Sequence, residues 1–206
     1  MNSKSKLFYA MLFTPYIAVI IGLYLFSNAW VAIGLYHLGI FGLLLFFKYK
    51  IRNWFTLKLT WNTLISTGFS ALAGLLIFLL WDYIRIPTLN LTFYLTKVGL
   101  NKNCFGLFVI YFAAVHPVLE EMYWRGLMIN LVKPPLLNDF CFAGYHSLVL
   151  LGFIRFEFIV ASLIILMYVS MVWRYFIEKH NEYWTALFSH ASADLSIILA
   201  VYLKLG

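Results

Sequence analysis

The stretch WNTLISTGFSALAGLLIFLLW, residues 61–81, decides the class of this protein. It contains no ionisable side chain, and its length suits the roughly 20 apolar residues that a helix needs to cross a bilayer. Comparable runs recur along the chain, and the predicted spans are Leu7–Phe26, Trp30–Phe47, Trp61–Trp81, Phe105–Tyr123, Phe140–Phe153, Phe156–Trp173 and Trp184–Leu203. The sequence therefore predicts an all-α fold, a polytopic bundle of about seven transmembrane helices.

Two of these predicted spans have distinctive features. Only a few residues link the first span to the second, which predicts a tight helical hairpin. The fifth span, Phe140–Phe153, is short, so it could stand nearly upright in the membrane or enter it only part of the way. The first span lacks a following A-x-A cleavage pattern, so we expect it to be retained and not removed as a signal peptide.

The composition supports a membrane protein. Of the 206 residues, 64% are hydrophobic and only 11% are charged, and the mean hydropathy is +0.88. A soluble domain is about half apolar and about a quarter charged, so lipid must act as the solvent for much of this chain. The net charge of +7 resides mainly in short loops, where topology and anionic lipid headgroups explain it better than a nucleic-acid partner. Cys104 and Cys141 indicate neither a disulfide framework nor a metal cluster.

The distribution of Lys and Arg predicts the orientation in the membrane. With the N-terminus in the cytoplasm, ten of the 15 basic residues lie on the cytoplasmic side. The strongest cytoplasmic loop is Lys48–Lys58, which contains four basic residues and no acidic one. The longest outer connection, Asp82–Asn103, nearly alternates apolar and polar residues, which favours an extended or an interfacial segment.

Ionisable side chains inside the predicted spans are candidates for function because they are costly to insert into a membrane. Glu121 and Arg125 are four residues apart on one helix face, where an ion pair that only packs helices is an equally good interpretation. Glu120 points about 100° away from Glu121 and has no evident partner nearby in the sequence. An unpaired buried carboxylate suits a general base.

The other candidates lie on later spans. His190 and Asp194 share one helix face, so Asp194 could orient His190, both could hold a water or a metal, or they could only satisfy each other. His146 could be catalytic or a helix-packing hydrogen-bond group. His37, alone in its span, is interpreted as structural. Measured from the predicted cytoplasmic ends, the depth ranges from about 5 Å for Glu120 to about 15 Å for Asp194, so these groups fall in one half of the membrane.

Three motifs in order resemble a known family. EEMYWRG at Glu120–Gly126, FAGYH at Phe142–His146 and HASAD at His190–Asp194 resemble the E-E-x-x-x-R, F-x-x-x-H and H-x-x-x-N/D motifs of the CPBP family. This family comprises CAAX-processing and bacteriocin-processing intramembrane proteases, also called Abi proteins, and is typified by the Ras-converting CAAX endopeptidase. The resemblance implies a catalytic membrane core over residues 104–206, preceded by N-terminal spans and an outer loop over 1–103, in one integral membrane domain.

The resemblance also implies roles for individual residues. Glu120 would activate water, His146 would hold and polarise it, and His190 with Asp194 would stabilise the oxyanion. Glu121 and Arg125 would brace the first motif, and Phe142, with Trp124, would line the substrate cavity. A divalent metal such as zinc, held by Glu120, His146 and His190, stays an open alternative, although no HExxH motif is present.

The implied substrates are membrane-associated peptides or protein tails. The small size of the chain suggests a bacterial member of the family in the inner membrane, for which bacteriocin leaders and C-terminal sorting tails are better candidates than prenylated CAAX proteins. Two other classes remain open from the sequence. One is a non-catalytic immunity or scaffold protein of the same family, and the other is a small proton-coupled transporter whose buried Glu and His residues relay ions.

Overall fold

The computed structural model describes residues 3–50 and 59–205, which form helices throughout. No β-strand occurs within these residues, where Arg85 and Ile154 form an isolated bridge. The elements are α1 (Ser3–Met11), α2 (Thr14–Val19), a π-helix (Ile20–Leu25), α3 (Ala29–Phe46), α4 (Trp61–Ile84), α5 (Leu91–Lys97), α6 (Lys102–Ala114), α7 (His116–Glu121), a second π-helix (Met122–Met128), α8 (Ile129–Leu131), α9 (Pro135–Leu150), α10 (Phe156–His180) and α11 (Tyr183–Leu203). The predicted all-α fold is confirmed.

Six helical segments of the described chain are long and apolar enough to cross a membrane. They are Leu7–Leu25, Ala29–Phe46, Trp61–Ile84, Asn103–Leu131, Phe156–His180 and Tyr183–Leu203. The remaining predicted span, the fifth, Phe140–Phe153, corresponds to α9, which begins earlier, at Pro135, and has 16 residues. At about 1.5 Å per residue α9 is about 24 Å long, shorter than a hydrocarbon core of about 30 Å. The prediction of about seven membrane helices therefore holds, with α9 as the short one.

The first two spans form the predicted tight hairpin. The first π-helix ends at Leu25, and α3 begins at Ala29. Asn28 caps α3, because its side-chain oxygen accepts the backbone N–H groups of Trp30 at 2.9 Å and Val31 at 3.1 Å. A glycine at position 22 lets the two helices approach closely, since any Cβ there would overlap the next helix.

The connection Asp82–Asn103 is largely helical, so the extended alternative is wrong. α4 continues through Asp82 to Ile84, and α5 follows over Leu91–Lys97. Leu91, Leu95 and Val98 are buried, at the i, i+4, i+7 spacing of one helix face. The near alternation of polar and apolar residues concealed this helical period.

α4 and α11 pack closely through small and hydroxyl-bearing residues. A Cβ at Gly74 would overlap the backbone carbonyl of Ser196, and the Gly74 N–H donates to the Ser196 hydroxyl at 3.2 Å. Nearer the other end of the contact, the hydroxyls of Ser70 and Ser189 share a hydrogen bond of 2.6 Å. Small residues allow helix backbones to approach in lipid, and hydroxyl pairs connect them. This contact fixes α11, which carries His190, against α4.

Two of the basic residues that were counted for orientation are paired inside the bundle. Arg125 is 1% exposed, and Arg174 forms an ion pair of 2.9 Å with buried Asp139. Most of the predicted cytoplasmic loop Lys48–Lys58 falls on residues 51–58, which lie outside the described residues. The orientation of the chain therefore stays a prediction.

Candidate active site

The three sequence motifs meet inside the bundle. Glu120 and Glu121 end α7, His146 lies on α9, and His190 and Asp194 lie on α11. α7 follows a break at Val115, consistent with Pro117, which has no N–H to donate to the helix before it. The second π-helix begins directly after Glu121, and π-helical segments occur frequently at functional sites.

Glu120, His146 and Asp194 lie equally far from the ends of their helical segments, and Glu120 lies further from its end than expected. The span that contains Glu120 continues to Leu131 and does not end at Tyr123, because the second π-helix and α8 extend it. Glu120 is thus eleven residues from Leu131, as Asp194 is from Tyr183 and His146 from Pro135. At about 1.5 Å per residue, each group lies about 16 Å from that end of its segment.

The two oxygens of the Glu120 carboxylate have different surroundings. The side chain is fully buried, and its Oε1 accepts hydrogen bonds from the hydroxyls of Tyr36 and Tyr145. Trp124 in turn donates its indole N–H to the Tyr36 oxygen at 2.9 Å. Oε2 accepts no hydrogen bond from the described residues, yet the Nε2 atoms of His116 and His190 each lie 3.5 Å away. Oε2 is therefore the oxygen left available to a bound molecule.

Glu121 is held by two donors at one oxygen. Its Oε1 accepts from Arg125 Nη1 at 2.9 Å and from His190 Nδ1 at 2.8 Å. The Arg125 guanidinium lies 3.9 Å from the ring centroid of Phe142 and 4.9 Å from that of Trp173. The predicted Glu121–Arg125 pair is present and fully enclosed, with cation–π contacts that support the arginine. The pair also reaches the site, since it holds His190.

The orientation of His190 depends on Glu121 more than on Asp194. Because Nδ1–H donates to Glu121, Nε2 is the atom that faces the site. Asp194 Oδ2 lies 3.6 Å from this Nε2. Asp194 therefore approaches the ring nitrogen that does not bind Glu121. From the sequence, Asp194 was one of the open alternatives for this orienting role. Glu121 could not be identified because it lies 69 residues away in the chain and its contact with His190 is tertiary.

His146 reaches Glu120 through a tyrosine. Its Nδ1 lies 2.8 Å from the carbonyl oxygen of Phe142, which can only accept, so this nitrogen carries a proton. Its Nε2 lies 3.1 Å from the hydroxyl of Tyr145, the same hydroxyl that contacts Glu120 Oε1. The His146 ring is half-buried, and it packs on the Tyr145 ring with centroids 4.0 Å apart. His146 is thus tied to the carboxylate, and it is more accessible than the carboxylate.

The arrangement of these side chains does not fit the predicted metal site. Within residues 3–50 and 59–205, no group of three or more His, Cys, Asp and Glu residues is placed to hold a metal ion. His146 directs its two ring nitrogens to Phe142 and Tyr145, and His190 directs Nδ1 to Glu121. A zinc site with three protein ligands needs nitrogen and oxygen donors that converge at about 2 Å from one point. These residues therefore do not form that zinc site, and the chemistry of the candidate site is assigned to their acid–base and hydrogen-bonding groups.

The two predicted substrate-contacting residues, Phe142 and Trp124, are both fully buried. Phe142 packs against Arg125, and Trp124 donates to Tyr36. Their observed contacts are with groups that support the two glutamates. Any contact with substrate stays a prediction.

Sequence reasoning missed three residues that contact Glu120. His116 was detectable, since it precedes Glu120 by four residues in HPVLEE and such pairs share a helix face. Tyr145, next to His146 in the second motif, was a weaker signal. Tyr36 carried no signal, because it lies 84 residues before Glu120 on another span.

Comparison with models of protein families yields a match. The family described as type II CAAX prenyl endopeptidase Rce1-like matches residues 102–196, slightly less than half of the chain. The matched region contains all three motifs and confirms the relation to the CPBP family. Comparisons with curated proteins and with solved structures gave no significant match. Tyr36 and His37 lie outside the matched region, although both belong to the surroundings of Glu120.

Proposed function

We propose, from the relation of residues 102–196 to the Rce1-like CAAX endopeptidases, that this chain hydrolyses peptide bonds inside the membrane with water activated by Glu120. The observation that carries the proposal is the asymmetry of the Glu120 carboxylate. Oε1 is fixed by two phenolic hydroxyls, and Oε2 faces two imidazoles without a hydrogen bond from the described residues. A buried base with one fixed and one available oxygen suits proton transfer from water.

The first step is the attack of water on the substrate carbonyl. Glu120 Oε2 accepts one proton from the water, and the oxygen of that water forms a bond to the carbonyl carbon, which becomes tetrahedral. The negative charge that develops on the carbonyl oxygen needs a donor, and we assign this role to Nε2–H of His190, which lies 3.5 Å from Oε2. Because Nδ1–H is already donated to Glu121, this assignment requires His190 in its doubly protonated, cationic form. Because Glu121 holds the other nitrogen of His190, the donor is in place before the reaction.

The second step is the collapse of the tetrahedral intermediate. Glu120 returns its proton to the nitrogen of the scissile bond, the C–N bond breaks, and the amine leaves. One water is consumed and Glu120 is again ionised, so the protons balance without another reactant. Tyr36 and Tyr145 keep Oε1 fixed during both transfers, and the His146 ring packs against the Tyr145 ring.

The access route is proposed from the exposure of the site residues. Glu120 is fully enclosed, whereas His146 and Asp194 are partly exposed. We therefore assign the substrate approach to the side of the bundle formed by α9 and α11, from the cytoplasmic half of the membrane. The proposed substrates are tails or leaders of membrane-associated proteins and peptides in a bacterial inner membrane, because a bilayer-anchored segment can reach a site at this depth.

The test compares Glu120→Gln with the wild type. Glutamine keeps the shape of Glu120 but cannot accept the proton, so we expect cleavage to fall by at least about a hundredfold. Purified proteins in liposomes would be assayed with a fluorogenic farnesylated CAAX peptide. In parallel, new protein termini would be identified in membranes of cells that express each form.

Glu178→Gln is the matched control, since Glu178 lies on α10 outside the site and is 42% exposed. Cells that express Glu178→Gln should show the same new protein termini as cells with the wild type, and the purified variant should cleave the peptide at the wild-type rate. Cleavage by Glu120→Gln at the wild-type rate would exclude Glu120 as the base. Identical termini for all three proteins, together with no cleavage of the peptide, would favour the immunity or scaffold interpretation instead.

A further inference from the structure

A line of three polar side chains, two of them buried, leads to the available oxygen of Glu120. The Tyr111 hydroxyl lies 2.7 Å from His37 Nδ1, and His37 Nε2 lies 2.9 Å from His116 Nδ1. His116 Nε2 then lies 3.5 Å from Glu120 Oε2. His37 and His116 are 5% and 4% exposed. The line joins α3, α6 and α7, and none of its three residues belongs to a sequence motif of the family.

The contacts restrict the direction of the hydrogen bonds. A neutral imidazole carries one N–H and one lone pair, so each histidine in the line donates on one side and accepts on the other. If the Tyr111 hydroxyl donates to His37 Nδ1, His37 donates from Nε2 to His116 Nδ1. His116 then carries its proton on Nε2, and this N–H faces the carboxylate. In the opposite direction, the Nε2 lone pair of His116 would face the ionised carboxylate of Glu120, and the two groups would repel each other.

A stacking contact on the face of the imidazole ring also holds His116 in place. Phe112 stacks on it with ring centroids 4.4 Å apart and an angle of 18° between the planes. The break at Val115 and the start of α7 at His116 place this ring one turn before Glu120. A histidine pair that only joins helices would not need to direct its last nitrogen toward the reacting oxygen.

We infer that Tyr111, His37 and His116 are positioning residues that hold the Nε2–H of His116 toward Oε2 of Glu120. This inference rests on the proposed function. The N–H stabilises the charge on Oε2 between turnovers, and it limits the position of the attacking water to the space that Oε2 shares with His190. The line thus extends the site to Tyr111, a residue that is only half-buried.

The activity test uses substitutions at His37, which does not touch Glu120. Glutamine at position 37 can accept from Tyr111 through its carbonyl and donate to His116 through its amide, so His37→Gln preserves the direction of the line. His37→Leu removes both hydrogen bonds. With the farnesylated peptide in liposomes, we expect His37→Leu to lower kcat by about tenfold to a hundredfold at unchanged KM. His37→Gln should restore kcat nearly to the wild-type value, and Tyr111→Phe should fall between the two.

A decrease in kcat in His37→Gln equal to that in His37→Leu would overturn the inference. A change in KM or in protein abundance without a change in kcat would also overturn it.

A second measurement does not depend on activity. Nitrogen-15 NMR of histidine-labelled wild-type protein in lipid reports which ring nitrogen is protonated, with the His37 and His116 signals assigned from the His37→Gln and His116→Gln variants. Protons on Nε2 of both residues support the line, and a proton on Nδ1 of His116 refutes it. If the wild type cleaves no peptide and also produces no new protein termini in membranes, the proposed function fails, while the NMR result still tests the direction of the hydrogen bonds.

Discussion

Glu120 and Glu121 are adjacent and both fully buried, but their partners differ in kind. Glu120 is contacted by two phenols and faces two imidazoles, so no permanent cation neutralises it. Glu121 is bound to Arg125, which is always charged, and to His190. Loss of the charge at position 120 therefore affects the chemistry, whereas loss at position 121 affects the folded structure as well.

Glu121→Gln is expected to destabilise the protein. It leaves Arg125 buried beside a neutral amide, and removal of one partner of a buried ion pair typically costs about 3–5 kcal/mol. Thermal unfolding in detergent should show a clear loss of stability, together with lower abundance in membranes. Glu178→Gln is the control, because Glu178 and Arg174 are also four residues apart but Glu178 is largely exposed, where such pairs contribute about 0–1 kcal/mol. Equal stability of the two variants would contradict the structural role of Glu121.

Asp194 is expected to tolerate asparagine but not leucine. Glu121 already orients His190, and Asp194 Oδ2 lies 3.6 Å from Nε2 with no hydrogen-bond partner in the described chain. In Asp194→Asn the amide can donate to the developing oxyanion, so we expect cleavage within about tenfold of the wild type and a shifted pH profile. Leucine at this position can neither donate nor accept a hydrogen bond, so Asp194→Leu should lower the cleavage rate by about a hundredfold or more. The rates of peptide cleavage as a function of pH would distinguish them, and an inactive Asp194→Asn would show that the carboxylate itself is required.

The candidate residues could be predicted from the sequence because ionisable groups are rare in apolar helices, and each of those selected lies in the site. Their pairing could not be predicted beyond one helix turn. Glu121–Arg125 followed from the i, i+4 rule, whereas His190–Glu121 and Tyr36–Glu120 depend on how separate helices pack. His37 was interpreted as structural because its span contains no carboxylate, but its partner, His116, comes from α7.

The close contact between α4 and α11 depends on one small residue, Gly74. Gly74→Ala would introduce a Cβ into the backbone of Ser196, at the place where the two helices touch. We expect it to cost about 1–3 kcal/mol, the range for overpacking, and to lower cleavage because α11 carries His190. Thermal unfolding and peptide cleavage would be measured together.

Gly68→Ala is the matched control on the same helix, since a Cβ at Gly68 has no neighbour within 4 Å. Alanine stabilises a helix interior by up to about 1 kcal/mol relative to glycine, so Gly68→Ala should be neutral or slightly stabilising. If both variants behave alike, close packing at Gly74 does not control the position of α11.

Most helices could be predicted from the lengths of the hydrophobic runs in the sequence, and the exceptions have identifiable causes. The fourth span is longer than expected because the second π-helix and α8 continue it past Tyr123 to Leu131. A π-helix cannot be recognised from the hydropathy of the sequence. α5 was not recognised because seven residues are too few for a periodic pattern to emerge from near alternation. Both errors concern local backbone form, which tertiary contacts decide.

Across the whole molecule, the site draws on spans from both halves of the chain. The region matched by the family begins at residue 102, but Tyr36 on α3 contacts Glu120, and the serine face of α4 supports α11. The division into N-terminal spans and a catalytic core stays a prediction, and the residues that contact Glu120 come from both sides of it. We infer that the C-terminal half alone would lack a complete site.

We expect the N-terminus and the loop near Lys50 to face the cytoplasm, with the α5 region outside. The reason is the excess of basic residues on one set of loops, since such residues are retained in the cytoplasm during insertion. Cys104 and Cys141 would first be replaced by serine, and then Lys50→Cys and Lys97→Cys, both at exposed positions, would be introduced separately. In intact cells an impermeant thiol reagent should label Lys97→Cys but reach Lys50→Cys only after the membrane is opened. The reverse pattern would place the site in the outer half of the membrane, and the proposed cytoplasmic access of substrates would be wrong.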